Sequence, residues 1–171
     1  MNKFVYLVEN NAHLLTSQWV EEVTSNPSTK GYRNLSEAEL RSRVFDVYKR
    51  LGEWLQSDEA VYKKTARHFF DLGRTRASEG LKVSEVVYAL ILNRVVLWKY
   101  VIGHGMIDTT LDYHNAIDFY HQVTNFFDKA EYFVCVGFET LDKTAEKKLE
   151  DENFFEAAVS AITNWVVKAP K

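Results

Sequence analysis

The chain contains very few residues that interrupt a helix. It has 171 residues but only seven glycines and two prolines, and no proline stands between positions 27 and 170. Apolar residues recur at steps of three and four, and no stretch shows the alternation with a period of two that indicates a β-strand. These features predict an all-α fold, a bundle of about five to six helices.

Apolar periodicity predicts the extent of the first helix, and a capping pattern predicts where the second helix begins. Apolar periodicity indicates a first helix from about residue 2 to residue 24. Ser36 and Glu39 then have the spacing of a capping box, and Leu35 and Leu40 have the spacing of the matching hydrophobic staple. A second helix is therefore expected to begin at this point.

Two later boundaries depend on residues suited to helix ends. A third helix, capped by Ser57 or Asp58, should end at Gly80, because glycine takes the left-handed conformation at no steric cost. A fourth helix opens at Val83 and is apolar around most of its axis, which predicts a place at the centre of the domain. It reaches membrane-spanning length but contains charged residues, so we expect a buried core helix and no membrane insertion.

The longest predicted helix lies in the C-terminal half of the chain. With Asp108 as its cap, it continues from about Thr109 to Lys148, roughly 60 Å at 1.5 Å per residue. A final amphipathic helix follows. We expect the long helix and the apolar face of this last one to be buried in a homodimer, since so large an apolar surface is unusual on a monomer. That face consists of Phe154, Phe155, Ile162 and Trp165.

Charge and cysteine content exclude several classes of function. There are 21 Lys and Arg against 24 Asp and Glu, a formal net charge of −3, without the basic excess typical of proteins that bind nucleic acid. Cys135 is the only cysteine, so no disulfide can form within one chain. The N-terminus lacks the features of a signal peptide, and we predict a cytoplasmic protein. No nucleophile, P-loop or dinucleotide motif is present, which predicts that the protein is not an enzyme.

Three residues of the long helix have side chains that suit a metal ion. His114, Asp118 and His121 follow each other at steps of four and three, which places them on one face. The two histidines are about 10 Å apart along the axis, too far to bind one ion without the intervening aspartate. We predict a polar surface here, with a metal site as the weaker alternative.

The junction between the third and fourth helices resembles a known family. Residues 72–81 read LGRTRASEGL, residues 84–87 read SEVV and residues 94–98 read RVVLW. With Leu14, Leu15 and Trp19, and with FFD at 126–128 and GFE at 137–139, the chain is similar to the amino-terminal sensor domain of RsbRD-type RsbT co-antagonists over about residues 4–145. The resemblance implies a globin-like, non-haem sensor fold that is often dimeric and serves the stress response. It also implies an output module, such as a STAS domain or a histidine kinase.

The resemblance divides the chain into a helical sensor domain over residues 1–150 and an amphipathic helix over residues 151–171. The leading hypothesis is a non-enzymatic sensor or adaptor that binds a small apolar ligand or a protein partner. After residue 145 about one helix remains, so we expect the signal to leave by contact with a separate signalling protein that has the output module. A purely structural dimeric adaptor is an alternative.

Two groups of residues are the candidate sites. The first is the junction formed by Arg74, Arg76 and Gly80. Its arginines either serve as cations near a helix C-terminus or include one that points between helices and binds a carboxylate. The second is a possible pocket, although aromatic residues at helical spacing more often form plain core. Its predicted lining residues are Trp19, Phe69, Trp98 and Phe127.

Haem is the alternative cofactor. Globin-like folds bind it, and His68 lies in the helix that would correspond to the distal one. A proximal ligand is expected just before the fourth helix, where the sequence has no histidine, and His104 fits only if the correspondence shifts by one helix. We therefore expect no cofactor.

Overall fold

The computed structural model describes residues 3–55, 59–104, 107–140 and 155–160, and every regular element among them is a helix. The predicted all-α class is therefore confirmed, whereas the globin-like arrangement stays a prediction. In chain order the elements are α1 (Lys3–Asn10), α2 (Ala12–Ser25), a 3-10 helix (Pro27–Asn34), α3 (Glu37–Leu55), α4 (Glu59–Ser78), α5 (Val83–Gly103) and α6 (Thr110–Glu139). Residues 155–160 are also helical.

The N-terminal segment forms two helices where one continuous helix was predicted. Asn11 separates α1 from α2, with φ of −118° and ψ of 18°. Its Nδ2 donates a hydrogen bond to the carbonyl oxygen of Leu7 at 2.8 Å, and an amide that binds the preceding turn competes with the helical backbone. Periodicity missed this break because the apolar residues keep their spacing across it.

Most of the predicted helix ends agree with the structure. Ser36 N donates to Glu39 Oε2 at 2.9 Å and Glu39 N donates to Ser36 Oγ at 3.3 Å, so the capping box is confirmed. Gly80 has a φ of +79°, which confirms the left-handed cap. The predicted caps of α4, residues 57 and 58, lie outside the described residues.

The long helix α6 begins one residue later than predicted. Its cap is Thr109 and not Asp108, since Asp112 N donates to Thr109 Oγ1 at 3.1 Å and Asp112 Oδ2 accepts from Thr109 N at 3.1 Å. The sequence interpretation missed this capping box because it has aspartate in the position that glutamate usually fills. The helix ends at Glu139 with Thr140 as its C-cap, whereas the predicted helix continues through Thr140 to Lys148, and residues 141–148 lie outside the described residues.

Helix α5 lies at the centre of the bundle and contacts α1, α2, α4, α6 and the 3-10 helix. Among the described residues it is the one helix long and apolar enough to cross a membrane, and half of its most apolar stretch is buried. This agrees with the predicted core helix, although one face reaches the surface, where Val95 is 38% exposed and Ile102 is 67% exposed.

Two glycines allow the backbones of α4 and α6 to touch. A Cβ atom on Gly73 would lie 2.2 Å from the carbonyl oxygen of Val134, and one on Gly137 would lie 2.1 Å from that of Phe70. Both distances are far below van der Waals contact, so only glycine fits at either position. This crossing fixes α4, and with it the turn that precedes α5.

The described part of the C-terminal segment packs on its own chain. The ring of Phe155 is fully buried and lies 5.1 Å from that of Phe70 and 5.6 Å from that of Phe133. The guanidinium of Arg67 lies 3.8 Å from the centre of the same ring. Phe155, which was predicted to be buried by a second subunit, is therefore buried by α4 and α6. The other predicted contact residues, Phe154, Ile162 and Trp165, lie outside the described residues.

Candidate ligand-binding cavity

A small cavity lies where α2, the 3-10 helix, α3, α4 and α5 meet. The cavity has a volume of about 20 Å³, enough for about one or two water molecules. Aliphatic side chains form most of the wall. The remaining side chains are those of Trp19, Tyr32, Arg43, Arg76 and Asn93.

Two arginines from neighbouring helices share one carboxylate beside the cavity. Arg43 Nη2 lies 3.0 Å from Glu79 Oε2, and Arg76 Nη1 lies 2.9 Å from Glu79 Oε1. The arginine side chains are only 14% and 13% exposed. Burial, followed by repulsion from Arg43, lowers the pKa of Arg76 below its ordinary value. Two guanidinium groups therefore pair with a single carboxylate in an environment that is largely shielded from water.

The C-terminal turn of α4 positions Arg76 and Glu79. Leu81 N donates to the carbonyl oxygen of Arg76 at 3.1 Å, and Gly80 N donates to that of Ala77 at 3.0 Å, the two hydrogen bonds of a Schellman motif. This motif needs a positive φ at Gly80, where a Cβ atom would meet nothing within 4 Å. The glycine is required there for its backbone conformation and not for space.

Asn93 and Arg43 bring unpaired polar atoms to the cavity. Asn93 is only 2% exposed. Within the part of the chain that the structure describes, neither Asn93 Oδ1 nor Arg43 Nη1 has a hydrogen-bond partner, although both atoms are buried. An unsatisfied buried polar group costs about 1–3 kcal/mol. A small polar molecule in the cavity would satisfy both atoms.

Two aromatic residues hold the opposite wall in place. Trp19 Nε1 donates to the carbonyl oxygen of Ala89 at 2.9 Å, which fixes the indole against α5 one turn before Asn93. The ring of Tyr32 stands edge-on to the indole at 6.0 Å. Burial raises the pKa of Tyr32 to about 12, although the nearby arginines lower it. The phenol is therefore uncharged near neutral pH and can donate a hydrogen bond.

Glu85 anchors the 3-10 helix to the start of α5. Its Oε1 accepts from Gly31 N at 2.8 Å and its Oε2 accepts from Lys82 N at 3.1 Å. Both oxygens of this carboxylate are thus bound by backbone N–H groups. Glu79 remains the carboxylate that pairs with the arginines.

The structure separates the two arginines that the sequence placed together at the junction. Arg76 points inward and lines the cavity. The guanidinium of Arg74 instead lies 5.9 Å from the ring of Phe70. Residues two apart on a helix face different directions, which accounts for the separation.

Sequence reasoning missed Arg43 and Asn93. A signal was present, because both stand on apolar stripes: Arg43 lies three residues after Leu40, and Asn93 lies three residues after Leu90. A polar residue among core positions either points outward or has a function. Which of the two applies depends on how the neighbouring helices pack.

The four aromatic residues predicted to line a pocket are distributed over three places. Trp19 lines the cavity. Phe69 and Phe127 are buried in the core, where their rings lie 5.5 Å and 5.1 Å from that of Phe126. Trp98 is half-buried on α5, outside the cavity, and contacts α6.

The predicted metal and haem residues lie elsewhere. His114, Asp118 and His121 are exposed on α6, and the described residues include no group of three His, Cys, Asp or Glu side chains arranged to hold a metal ion. His68 Nε2 lies 2.8 Å from Asp46 Oδ2, and burial lowers the pKa of this histidine. His104 Nδ1 lies 2.8 Å from the carbonyl oxygen of Tyr100. Both histidines therefore already have polar neighbours in the chain.

Comparison with known protein families identifies a relationship. A family model for the RsbT co-antagonist protein rsbRD N-terminal domain matches residues 13–140. The matched range includes every residue that lines the cavity. No curated protein and no solved structure matches the chain.

Proposed function

Because the chain belongs to the family of RsbT co-antagonist protein rsbRD N-terminal domains, we propose that it is a non-enzymatic sensor domain of stress signalling that transmits its signal by protein contact. It works in the cytoplasm as a homodimer and acts on a signalling protein that has the output module. The proposal is supported by one observation above all, an apolar surface on the outer side of α5 and α6.

The first half of this surface is the outward face of α5. Ile91, Val95, Trp98 and Ile102 follow each other at steps of four, three and four, so they share one side of the helix. Val95 and Ile102 are the most exposed of the four, at 38% and 67%. The side of a helix that faces water is normally polar, so this face is suited to a partner.

The second half lies on α6. Tyr113, Ile117 and Tyr120 again share one face and are 57%, 36% and 46% exposed. The ring of Trp98 lies 5.0 Å from that of Tyr120 and joins the two halves. We refer to these seven residues of α5 and α6 as the α5–α6 surface.

A second copy of the chain fits the α5–α6 surface. The charges beside it on α5 are already paired within the chain, since Lys99 Nζ lies 3.3 Å from Glu22 Oε1 and Arg94 Nη1 lies 2.9 Å from Asp128 Oδ1. A two-fold axis that places α5 against α5 would bury apolar surface against itself, with Arg94 and Lys99 beside the contact already paired. Contiguous apolar surface of this kind is unusual on a monomer.

Sedimentation equilibrium at micromolar concentration tests the proposal. We expect a species of twice the 19.9 kDa chain mass, and a monomer when Val95 and Ile102 are both changed to glutamate, because the contact would then bury like charges. Phe45→Glu is the matched control, since Phe45 is 57% exposed but lies on α3, and it should leave the dimer intact. A wild-type chain that sediments only at 19.9 kDa would contradict the homodimer.

A further inference from the structure

We propose that the cavity binds a small planar oxyanion of the size of formate, acetate or nitrate. The inference rests on the proposed function, because it names the class of molecule that the sensor domain detects. It replaces the small apolar ligand expected from the sequence with a polar one.

Two guanidinium groups beside the cavity can donate hydrogen bonds to an anion. Arg43 and Arg76 together have two positive charges, and both oxygens of Glu79 are already engaged with them. Two further carboxylates lie nearby: Glu85 accepts from the backbone N–H groups of Gly31 and Lys82, and Glu39 accepts from Ser36 N and Ser36 Oγ. An anion beside the two guanidinium groups would reduce the repulsion between them, and charge-assisted hydrogen bonds from arginine to an oxyanion are among the strong ones in proteins.

Two buried polar side chains can supply the hydrogen bonds that a planar oxyanion accepts, Arg43 directly and Asn93 after its amide rotates. The buried Arg43 Nη1 is a donor without a partner among the described residues, and the buried side chain of Asn93 has its Oδ1 unpaired. A side-chain amide can rotate by half a turn and present its N–H group instead of its oxygen. One oxygen of the anion would then accept from Arg43 and the other from Asn93, while the aliphatic wall covers the rest.

The size of the cavity limits the guest. A cavity volume of about 20 Å³ admits a guest about as large as one or two water molecules, and formate, the smallest of the three anions, comes nearest to this limit. The position of Asn93 on α5 also connects binding in the cavity with the α5–α6 surface. Asn93 faces the cavity from the buried side of α5, and Val95 lies two residues further on the opposite side, in the α5–α6 surface. A guest held by Asn93 would therefore bias the position of the helix that forms the proposed contact.

Nuclear magnetic resonance of the ¹⁵N-labelled full chain tests the inference directly. Sodium formate, acetate or nitrate replaces sodium chloride at constant ionic strength, and the side-chain amide signal of Asn93 is followed. We expect a saturable shift with at least one of the three anions. Asn93→Leu and Arg43→Gln should each weaken the affinity, read from the backbone signals of α5, by about tenfold or more. Arg74→Gln is the control, since Arg74 does not line the cavity, and it should bind as the wild type does.

Two results would overturn the inference. One is the absence of a saturable shift with all three anions, as expected of a cavity that holds only water. The other is equal affinity in the wild type and in both cavity variants, which would place binding elsewhere. Either result leaves the sedimentation experiment unaffected, so a chain that dimerises but binds no anion would refute this inference and retain the proposed function.

Discussion

The two sides of α4 meet their neighbours in opposite ways. On one side Gly73 allows the backbone of α4 to touch that of α6, with no room even for a methyl group. On the other side, less than one turn later, Arg76 borders a cavity with unpaired polar atoms. Close packing without free space gives a protein interior its rigidity, whereas unsatisfied polar groups reduce stability. The contrast indicates that the α6 side holds the fold together, whereas the cavity side reduces stability, which the proposed binding of an anion would explain.

The largest effect should follow a change at the α4–α6 crossing. Gly137→Ala would place a methyl carbon 2.1 Å from the carbonyl oxygen of Phe70, so the helices must move apart. We expect a loss of about 3 kcal/mol or more in the free energy of unfolding, measured by urea denaturation. Gly103→Ala is the control, because a Cβ atom there meets nothing within 4 Å. Equal stability of the two variants would remove the contrast between the two sides of α4.

A smaller effect should separate the two arginines of the junction. Arg76→Ala leaves the buried side of Glu79 without one of its two partners, and we expect a cost of roughly 2 kcal/mol. Arg74 lies 5.9 Å from the centre of the Phe70 ring, so Arg74→Ala should cost less than about 1 kcal/mol. Thermal and urea melts of both variants measure the difference. Two arginine variants with the same stability would show that Arg76 contributes no more to stability than Arg74 does.

The turn after α4 should be moderately sensitive. Gly80→Val places a β-branched residue at a φ of +79°, where side chains are strained, and we expect a loss of about 1–2 kcal/mol. Gly80→Asn should lose less, because asparagine tolerates this conformation better than other residues. Both variants can be compared by urea denaturation. A greater loss for asparagine than for valine would show that something other than backbone conformation makes glycine necessary here.

The smallest effect should be a pH dependence of the free energy of unfolding that arises from Lys129 on α6. Lys129 Nζ lies 4.9 Å from the ring centre of Trp54 and donates to Asn125 Oδ1 at 2.7 Å, and burial lowers the pKa of Lys129 from 10.5 to about 8. Between these values the folded state binds fewer protons than the unfolded state, so the free energy of unfolding should increase with rising pH. The window ends near pH 9, the ordinary pKa of a cysteine thiol, because burial raises the pKa of Cys135 and the unfolded state alone loses this proton above that pH.

Urea melts at pH 8 and near pH 9 measure this increase. Lys129→Met should remove it, while Lys99→Met serves as the control, since Lys99 is an exposed lysine that pairs with Glu22. An increase of the same size in the Lys129→Met variant would assign the pH dependence to another group. The arginines at the cavity contribute no such pH dependence to the free energy of unfolding, because guanidinium groups stay charged throughout this range.

The sequence predicts the helices better than it predicts the site. Local signals determine the Ser36 capping box and the Gly80 turn, and both agree with the structure. The break at Asn11 depends on a side-chain hydrogen bond that periodicity does not reveal. The cavity depends on the approach of four helices and a 3-10 segment, so the meeting of Arg43, Arg76 and Asn93 follows from tertiary packing. The family resemblance over residues 72–81 includes Arg76 and so identifies it from the sequence, whereas no comparable motif includes Arg43 or Asn93.

The stability of the Asn93→Leu variant tests most directly whether the cavity side of α4 sacrifices stability for binding. Leucine has a similar branched shape and no polar atoms, and it would replace a buried amide whose Oδ1 is unpaired within the described part of the chain. By equilibrium urea unfolding without added anions, we expect the variant to be more stable than the wild type by about 1 kcal/mol. A loss of stability of that size would show that Asn93 serves the fold and would contradict the assignment of the cavity to binding.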